Sequence, residues 1–163
     1  MPLEISEFKS IMSHWASGIA VVTTAVENQW LGFTANSLAS VSIDPLLVSM
    51  SVTKTLHTGE TILNQGVFNV NILTEQQTQL GKIFAGMIPD YLDRFAGLDC
   101  AVTSNGCPVL PNIMAYLECQ IFQTVDVGAS TLILGEVVGG ALLQDTTPLL
   151  YFHRSWGQFI PLP

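Results

Sequence analysis

Residues 38 to 53 read Leu38-Ala39-Ser40-Val41-Ser42-Ile43-Asp44-Pro45-Leu46-Leu47-Val48-Ser49-Met50-Ser51-Val52-Thr53. Apolar and polar residues alternate on either side of Asp44-Pro45, a turn-forming pair. Successive side chains of a strand leave on opposite faces, so each run spells a strand. On the second, Leu46, Val48, Met50 and Val52 point one way, while Leu47, Ser49 and Ser51 point the other. A face lined with hydroxyls is unusual for a buried strand.

Working outward, residues 4 to 15 predict an amphipathic helix with Ile5, Phe8, Ile11, Met12 and Trp15 on one face, stopped by Ser17-Gly18. Ile19 to Val26 and Trp30 to Ala35 read as strands separated by Glu27-Asn28-Gln29. Downstream, residues 58 to 65 predict a short helix closed by Gly66, a residue that tolerates a left-handed backbone. Val67 to Leu73 reads as a strand. Thr74 and Gln77 form a capping-box pattern that opens a helix to about Ala85. Residues 86 to 112 form a long irregular stretch, expected to be a lid or an arm reaching a partner. Met114 to Thr124, Thr131 to Val138 with a bulge at Gly135, and Leu149 to His153 complete the strands. Many short strands with two or three helices predict a mainly β protein, a closed antiparallel barrel forming one domain over residues 1–163.

The chain has 163 residues, of which 48% are hydrophobic and 11% charged, a balance that specifies a folded core. Lys9, Lys54, Lys82, Arg94 and Arg154 face 13 acidic residues, giving a net charge of −8. That excess excludes nucleic acid and anionic membranes as partners, since both select basic surfaces. Mean hydropathy is +0.44, yet no apolar run approaches the ~18 residues of a membrane-spanning helix. The acidic N-terminal run Leu3-Glu4-Ile5-Ser6-Glu7 offers no basic lead-in for secretion. A cytoplasmic protein is expected, with its surplus apolar surface in a subunit interface. Cys100, Cys107 and Cys119 are odd in number and lack a Cys-x-x-Cys pair, so neither a disulfide framework nor a zinc site is expected. Cys119, inside an alternating strand, is read as a core residue.

Nucleotide-binding glycine fingerprints, the Walker loop, the zincin His pair and the hydrolase nucleophile elbow are all absent. His14, His57 and His153 show no metal-ligand spacing. The informative stretch is 34 to 61, where ten of 28 positions are Ser or Thr. Hydroxyls both donate and accept, and suit a phosphate or the rim of a polar heterocycle. Lys54 lies within the stretch, and Thr58 opens a helix whose N-terminus supplies backbone amides to an anion. The same composition also suits plain strands and turns, where Thr and Ser are favoured.

Several segments resemble the flavin reductase-like family of FMN-binding split barrels. They are Ser17 to Thr24, Gly32 to Val48, Phe68 to Leu73, Asp93-Arg94-Phe95, Leu134 to Val137 and Pro148 to Phe152, spanning about the whole chain in order. The resemblance implies a homodimer of six-stranded antiparallel Greek-key barrels with a few flanking helices. FMN, or sometimes FAD, would lie near the interface. It implies that Thr34, Ala35, Asn36 and Ser37 lie against the flavin ring, and that Ser51, Val52, Thr53, Lys54, His57 and Thr58 receive the phosphate end. Arg94 is a second candidate cation, with a salt bridge to Asp90 or Asp93 as its alternative role. Phe152 is placed near the cofactor at a strand end. No residue is assigned a catalytic role and no metal is implied, because the redox chemistry belongs to the flavin.

The implied activity is hydride transfer from NADH or NADPH to flavin N5, with reduced flavin passed to a monooxygenase component or another electron-acceptor protein. Two departures stand out. Gly128-Ala129-Ser130-Thr131 replaces the family's Gly-Asp-His-Thr, and Leu56 stands where many members have Ser. The first favours an alternative, an FMN electron carrier reduced by a protein donor. A non-catalytic ligand-binding barrel is the remaining alternative.

Overall fold

The computed structural model describes residues 2–89 and 91–163. In chain order its elements are α1 (Ile5–Met12), β1 (Ser17–Gly18), β2 (Ala20–Val26), β3 (Gln29–Ala35), β4 (Ala39–Ile43), β5 (Leu46–Thr53), α2 (His57–Gln65), β6 (Val67–Ile72), a 3-10 turn (Glu75–Gln77), α3 (Thr78–Phe84), β7 (Ala101–Val102), β8 (Pro108–Val109), β9 (Ala115–Val127), β10 (Ser130–Leu142), β11 (Leu149–Phe152) and β12 (Ser155–Gln158). The main sheet is antiparallel in the order β3-β2-β6-β9-β10-β5-β4, seven strands where the resemblance implies six.

The seventh strand is an outer edge. Every residue of β4 is exposed or half-buried, whereas the other six strands share one core. Ala20 and Val22 of β2, Phe33 and Ala35 of β3, Val48, Met50 and Val52 of β5, Phe68 and Val70 of β6, Cys119 of β9 and Ile133 of β10 form a single cluster. Strands at opposite ends of that order, β3 and β5, therefore close on the same interior without pairing to each other. The unpaired seam is the split of the barrel. Helix α2 plugs the cluster with Ile62, which is fully buried. It ends at Gly66 in the left-handed conformation, φ 74°.

Period-two alternation gives β2 a second use. Val21, with Ile19 just before it, faces away from the barrel into another cluster with Leu73, Ile83, Phe84, Phe95, Val109, Leu110, Ile113 and Leu149. Phe95, Val109 and Leu110 bring part of the 86–112 stretch into this cluster, so that part packs on the outside of the barrel. Two buried asparagines of β6 fasten it. Asn71 accepts the Leu110 N–H, and Asn69 donates to the Cys107 carbonyl. A buried amide needs such partners to offset its lost hydration.

Differences from the sequence reading have local causes. Helix α1 stops at Met12, and none of its residues is buried, so its apolar face covers nothing within the single chain. Strands β9 and β10 run longer than expected, as a 13-residue pair joined by the Gly128-Ala129 turn. Register shifts between Leu134 and Gly135, where Phe122 is the extra residue on β9. Gly135 is required there, because a Cβ would lie 2.5 Å from the Phe68 ring. Strand β12 was not expected; it follows a tight two-residue turn at His153-Arg154. No helix among the described residues is long and apolar enough to cross a membrane.

Candidate functional site

A cavity of about 670 Å³ opens where three pieces of chain meet. Trp30, Leu31 and Gly32 of β3 form one wall, Leu56, His57 and Thr58 at the start of α2 another, and Asp93, Arg94 and Phe95 the third. Helix α2 reaches this position because residue 59 is glycine: a Cβ there would meet Val52 Cγ1 at 2.2 Å. Gly59 thus sits against Val52 of β5, with Thr58 only 6% exposed at the cavity wall.

The first turn of α2 is uncapped. Its N-cap is Leu56, with no side-chain oxygen to accept a backbone N–H. The first helical bond is Glu60 N–H to the Leu56 carbonyl, so the amides of His57, Thr58 and Gly59 have no acceptor among the described residues. Free N–H groups at the positive end of a helix are suited to an anion. The geometry suits a phosphate group.

Arg94 stands in the opposite wall. Its Nη1 donates to the carbonyls of Gly32 at 3.0 Å and Phe84 at 3.1 Å, which ties the 92–95 loop to β3 and α3. It forms no ion pair with Asp93, whose carboxylate accepts the Phe95 N–H instead. Asp90 lies outside the described residues. His57 is 4.0 Å from Glu60, an exposed pair of little energetic weight.

The expected ring-facing residues divide. Asn36 and Ser37 are exposed in the link from β3 to β4, and Ser37 bonds Ser51 in continuation of the β4–β5 pairing. Thr34 is half-buried, and its hydroxyl donates to the Gly81 carbonyl at 2.6 Å. Ala35 and Val52 send their side chains into the barrel core, which leaves only their backbones for a ligand. Thr53 and Lys54 lie at the end of β5. Lys54 Nζ is 2.9 Å from Asp126, and the Lys54 N–H bonds the Ala129 carbonyl. Phe152 does not line this cavity; its ring centroid lies 6.3 Å from that of His14 and 6.0 Å from that of His153. The structure thus joins His57, Thr58 and Arg94 around one cavity and Ser37 with Ser51 beyond the end of β4. Trp30, Leu31 and Leu56 complete the cavity without any polar signal that sequence could have supplied.

The thiols take no part. Burial, then the charge of Glu118, then Cys107 push Cys119 up to about 12, and burial with Asp99 pushes Cys100 up to about 11. All three cysteines are free, with Cys119 in the barrel core as expected.

Comparison with known proteins agrees with this architecture. The flavin reductase like domain matches residues 12–159. The reductase subunit HsaB of a flavin-dependent monooxygenase from Rhodococcus jostii is 29% identical over 149 residues, covering 91% of this chain and 75% of HsaB. The reductase component of the flavin-dependent trigonelline monooxygenase of Acinetobacter baylyi is 36% identical over 135 residues, covering 82% of this chain. This chain spans less than half, 43%, of that relative's length. The NADH:FAD oxidoreductase SgcE6 of Streptomyces globisporus superposes with a TM-score of 0.88 at 26% identity, covering 100% of this chain and 95% of SgcE6. The fold is that of the flavin reductase split barrels, and the chain belongs to the flavin reductase-like family. It is a flavin reductase, an NAD(P)H:flavin oxidoreductase.

Proposed function

We propose that this reductase holds FMN with its phosphate on the uncapped first turn of α2 and its ring along Asn36, Ser37 and Ser51. The observation that carries this reading is the set of amides without acceptors at His57, Thr58 and Gly59, the first two belonging to residues that line a cavity also walled by Arg94. Thr58 adds a hydroxyl and Arg94 a fixed positive charge. FAD fits the same phosphate site through its pyrophosphate. When bound, the flavin accepts hydride from NADH or NADPH. The protein's part is to orient the ring, neutralise the phosphate and leave one ring face open to the donor. Lys54 contributes from the end of β5, where Asp126 holds it.

The reduced flavin then serves a monooxygenase component, the setting named for HsaB and for the trigonelline enzyme. A homodimer follows from the exposed apolar residues Ile5, Phe8, Ile11 and Met12 of α1, with Val138 and Leu142 of β10, which a second copy would cover. The net charge and composition suit a cytoplasmic protein acting as one domain over residues 1–163. Family membership favours this reading over the electron carrier and the non-catalytic barrel.

The test is a visible spectrum of the purified protein with FMN, before and after anaerobic NADH or NADPH. Prompt bleaching of the flavin band is expected. A bound flavin that neither donor bleaches would leave a carrier, and failure to bind FMN or FAD would remove the site assignment.

A further inference from the structure

The segment after α1 runs antiparallel to the end of β11. Ser17 pairs with Tyr151 and Gly18 with Leu150, and the Ser13 carbonyl accepts the His153 N–H at 2.6 Å. This pairing sets side by side two imidazoles that lie far apart in sequence. The rings of His14 and His153 have centroids 4.7 Å apart and an interplanar angle of 51°, neither the parallel nor the edge-on arrangement that aromatic rings prefer. Both residues are exposed. The tautomer of His14 is fixed by its neighbours. Its Nδ1 lies 2.9 Å from the Ser10 carbonyl, which can only accept, and the Ser13 hydroxyl already donates to that carbonyl. Nδ1 therefore carries the proton, and Nε2 keeps its lone pair. His153 makes no side-chain hydrogen bond among the described residues, so it too has a nitrogen to offer. It also holds left-handed backbone, φ 49°, a strained conformation that gathers at binding sites.

We propose that His14 and His153 form a site for a divalent first-row transition metal ion. Imidazole nitrogen suits Zn²⁺, Ni²⁺ and Cu²⁺. With metal–nitrogen bonds of about 2.1 Å, two imidazoles in adjacent positions on one ion have ring centroids about 4.6–5.3 Å apart. The observed 4.7 Å falls in that window. The Ser10 carbonyl does for His14 what a metal-bound histidine usually requires: it takes the other ring N–H and holds the ring in orientation. Charge favours a cation here, because a chain of −8 draws positive ions to its surface. Arg154, the next residue, lines a separate groove beside α3 with Lys82. Among the described residues no group of three or more His, Cys, Asp or Glu is placed to hold a metal. The pair is therefore a two-ligand site that leaves the other positions to water. A bound ion cross-links the segment after α1 to the β11–β12 turn.

The experiment titrates the untagged full chain with Zn²⁺ by calorimetry and follows its thermal denaturation with and without the ion. It compares the wild type with His14→Gln, His153→Asn and His57→Gln. Asparagine tolerates left-handed backbone, so the variant at 153 keeps the turn. The wild type is expected to bind one Zn²⁺ per chain and to gain in Tm, since an ion that binds only the folded state stabilises it. His14→Gln and His153→Asn should each weaken binding by at least about tenfold, the scale on which even the outer partners of a metal ligand act. Each should also abolish the gain in Tm while leaving the metal-free Tm that of the wild type. His57→Gln, which removes the third histidine, should bind as the wild type does. A wild type that binds no Zn²⁺ would overturn the proposal. So would binding that persists unchanged in both His14→Gln and His153→Asn, or binding lost only in His57→Gln.

Discussion

The Ser37 hydroxyl accepts the N–H of Ser51 at 3.1 Å and lies 3.3 Å from the carbonyl of the same residue. Ser37 lies between β3 and β4, and Ser51 on β5, so one side chain extends the β4–β5 pairing, whose register sets Ala39 opposite Ser49, by one more rung beyond the end of β4. Replacing Ser37 with Ala removes both bonds. The exposed setting limits the stability loss to about 0.5–1 kcal/mol, read by urea denaturation. The FMN Kd, read by quenching of flavin fluorescence, is expected to rise by a larger factor, because the ring-facing segment loses its brace.

Gly59→Ala tests the seating of α2. The added methyl collides with Val52, in a core too close-packed to absorb it, and overpacking of this kind costs about 1–3 kcal/mol. The helix start moves off β5 and FMN affinity falls. Pairing the change with Val52→Ala restores the space. Recovery of FMN binding in the double variant is the expected outcome, and its failure would separate α2 from the phosphate site.

Arg94→Lys is not a conservative change. Lysine cannot satisfy the Gly32 and Phe84 carbonyls with one planar group, so the 92–95 loop loosens from β3. A stability loss of about 2 kcal/mol is expected from two weakened charge-assisted bonds. Thermal denaturation with and without FMN checks this: the gap between wild type and variant should widen when flavin is present.

Lys54 and Asp126 form an exposed pair, so Lys54→Ala should change stability by less than about 1 kcal/mol. FMN affinity is expected to fall several-fold, while Asp126→Asn, which frees the ammonium, should strengthen it. Fluorescence titration at low and high salt distinguishes the two, since a charge contribution weakens as salt screens it.

Alkaline pH should destabilise the fold through Cys119. Its thiol ionises from about pH 9 in the unfolded chain but only near 12 in the folded one, because burial disfavours the thiolate. Between those values the unfolded state binds fewer protons, so stability falls as pH rises, by about 1.4 kcal/mol per unit for one group. Cys119→Ala should be less stable at neutral pH and show a shallower alkaline decline. Chemical denaturation from pH 7 to 11 measures both.

The alternation around Asp44-Pro45 and the β-branched run of β2 were legible because they report which face meets the core. Strand β12 was hidden because its turn, His153-Arg154, carries neither glycine nor asparagine, and its left-handed backbone is set by tertiary packing. Residues 86–112 read as a lid or an arm because the irregular stretch is longer than most loops, yet Asn69 and Asn71 tie its Cys107 and Leu110 to β6 through bonds that no local pattern announces. Around the candidate site, hydroxyl richness marked the stretch from 34 to 61, and the structure divides its residues between fold and cavity. Thr34, Ala35 and Val52 proved committed to the fold. The feature on which the proposed phosphate site rests, an uncapped helix start at Leu56, lies at the position where sequence recorded only a departure from the family's Ser.

Helix α2 stops the barrel interior with Ile62 and offers its first-turn amides to an anion from the same nine residues. Occupancy of the site and integrity of the interior are therefore thermodynamically linked: a ligand that binds only the folded chain stabilises it by RT ln(1 + [L]/Kd), about 2.7 kcal/mol at a hundredfold excess over Kd. A reductase that releases its flavin at every turnover passes through its most fragile form each time. Abundant oxidised flavin would then act as substrate and as guardian of the fold.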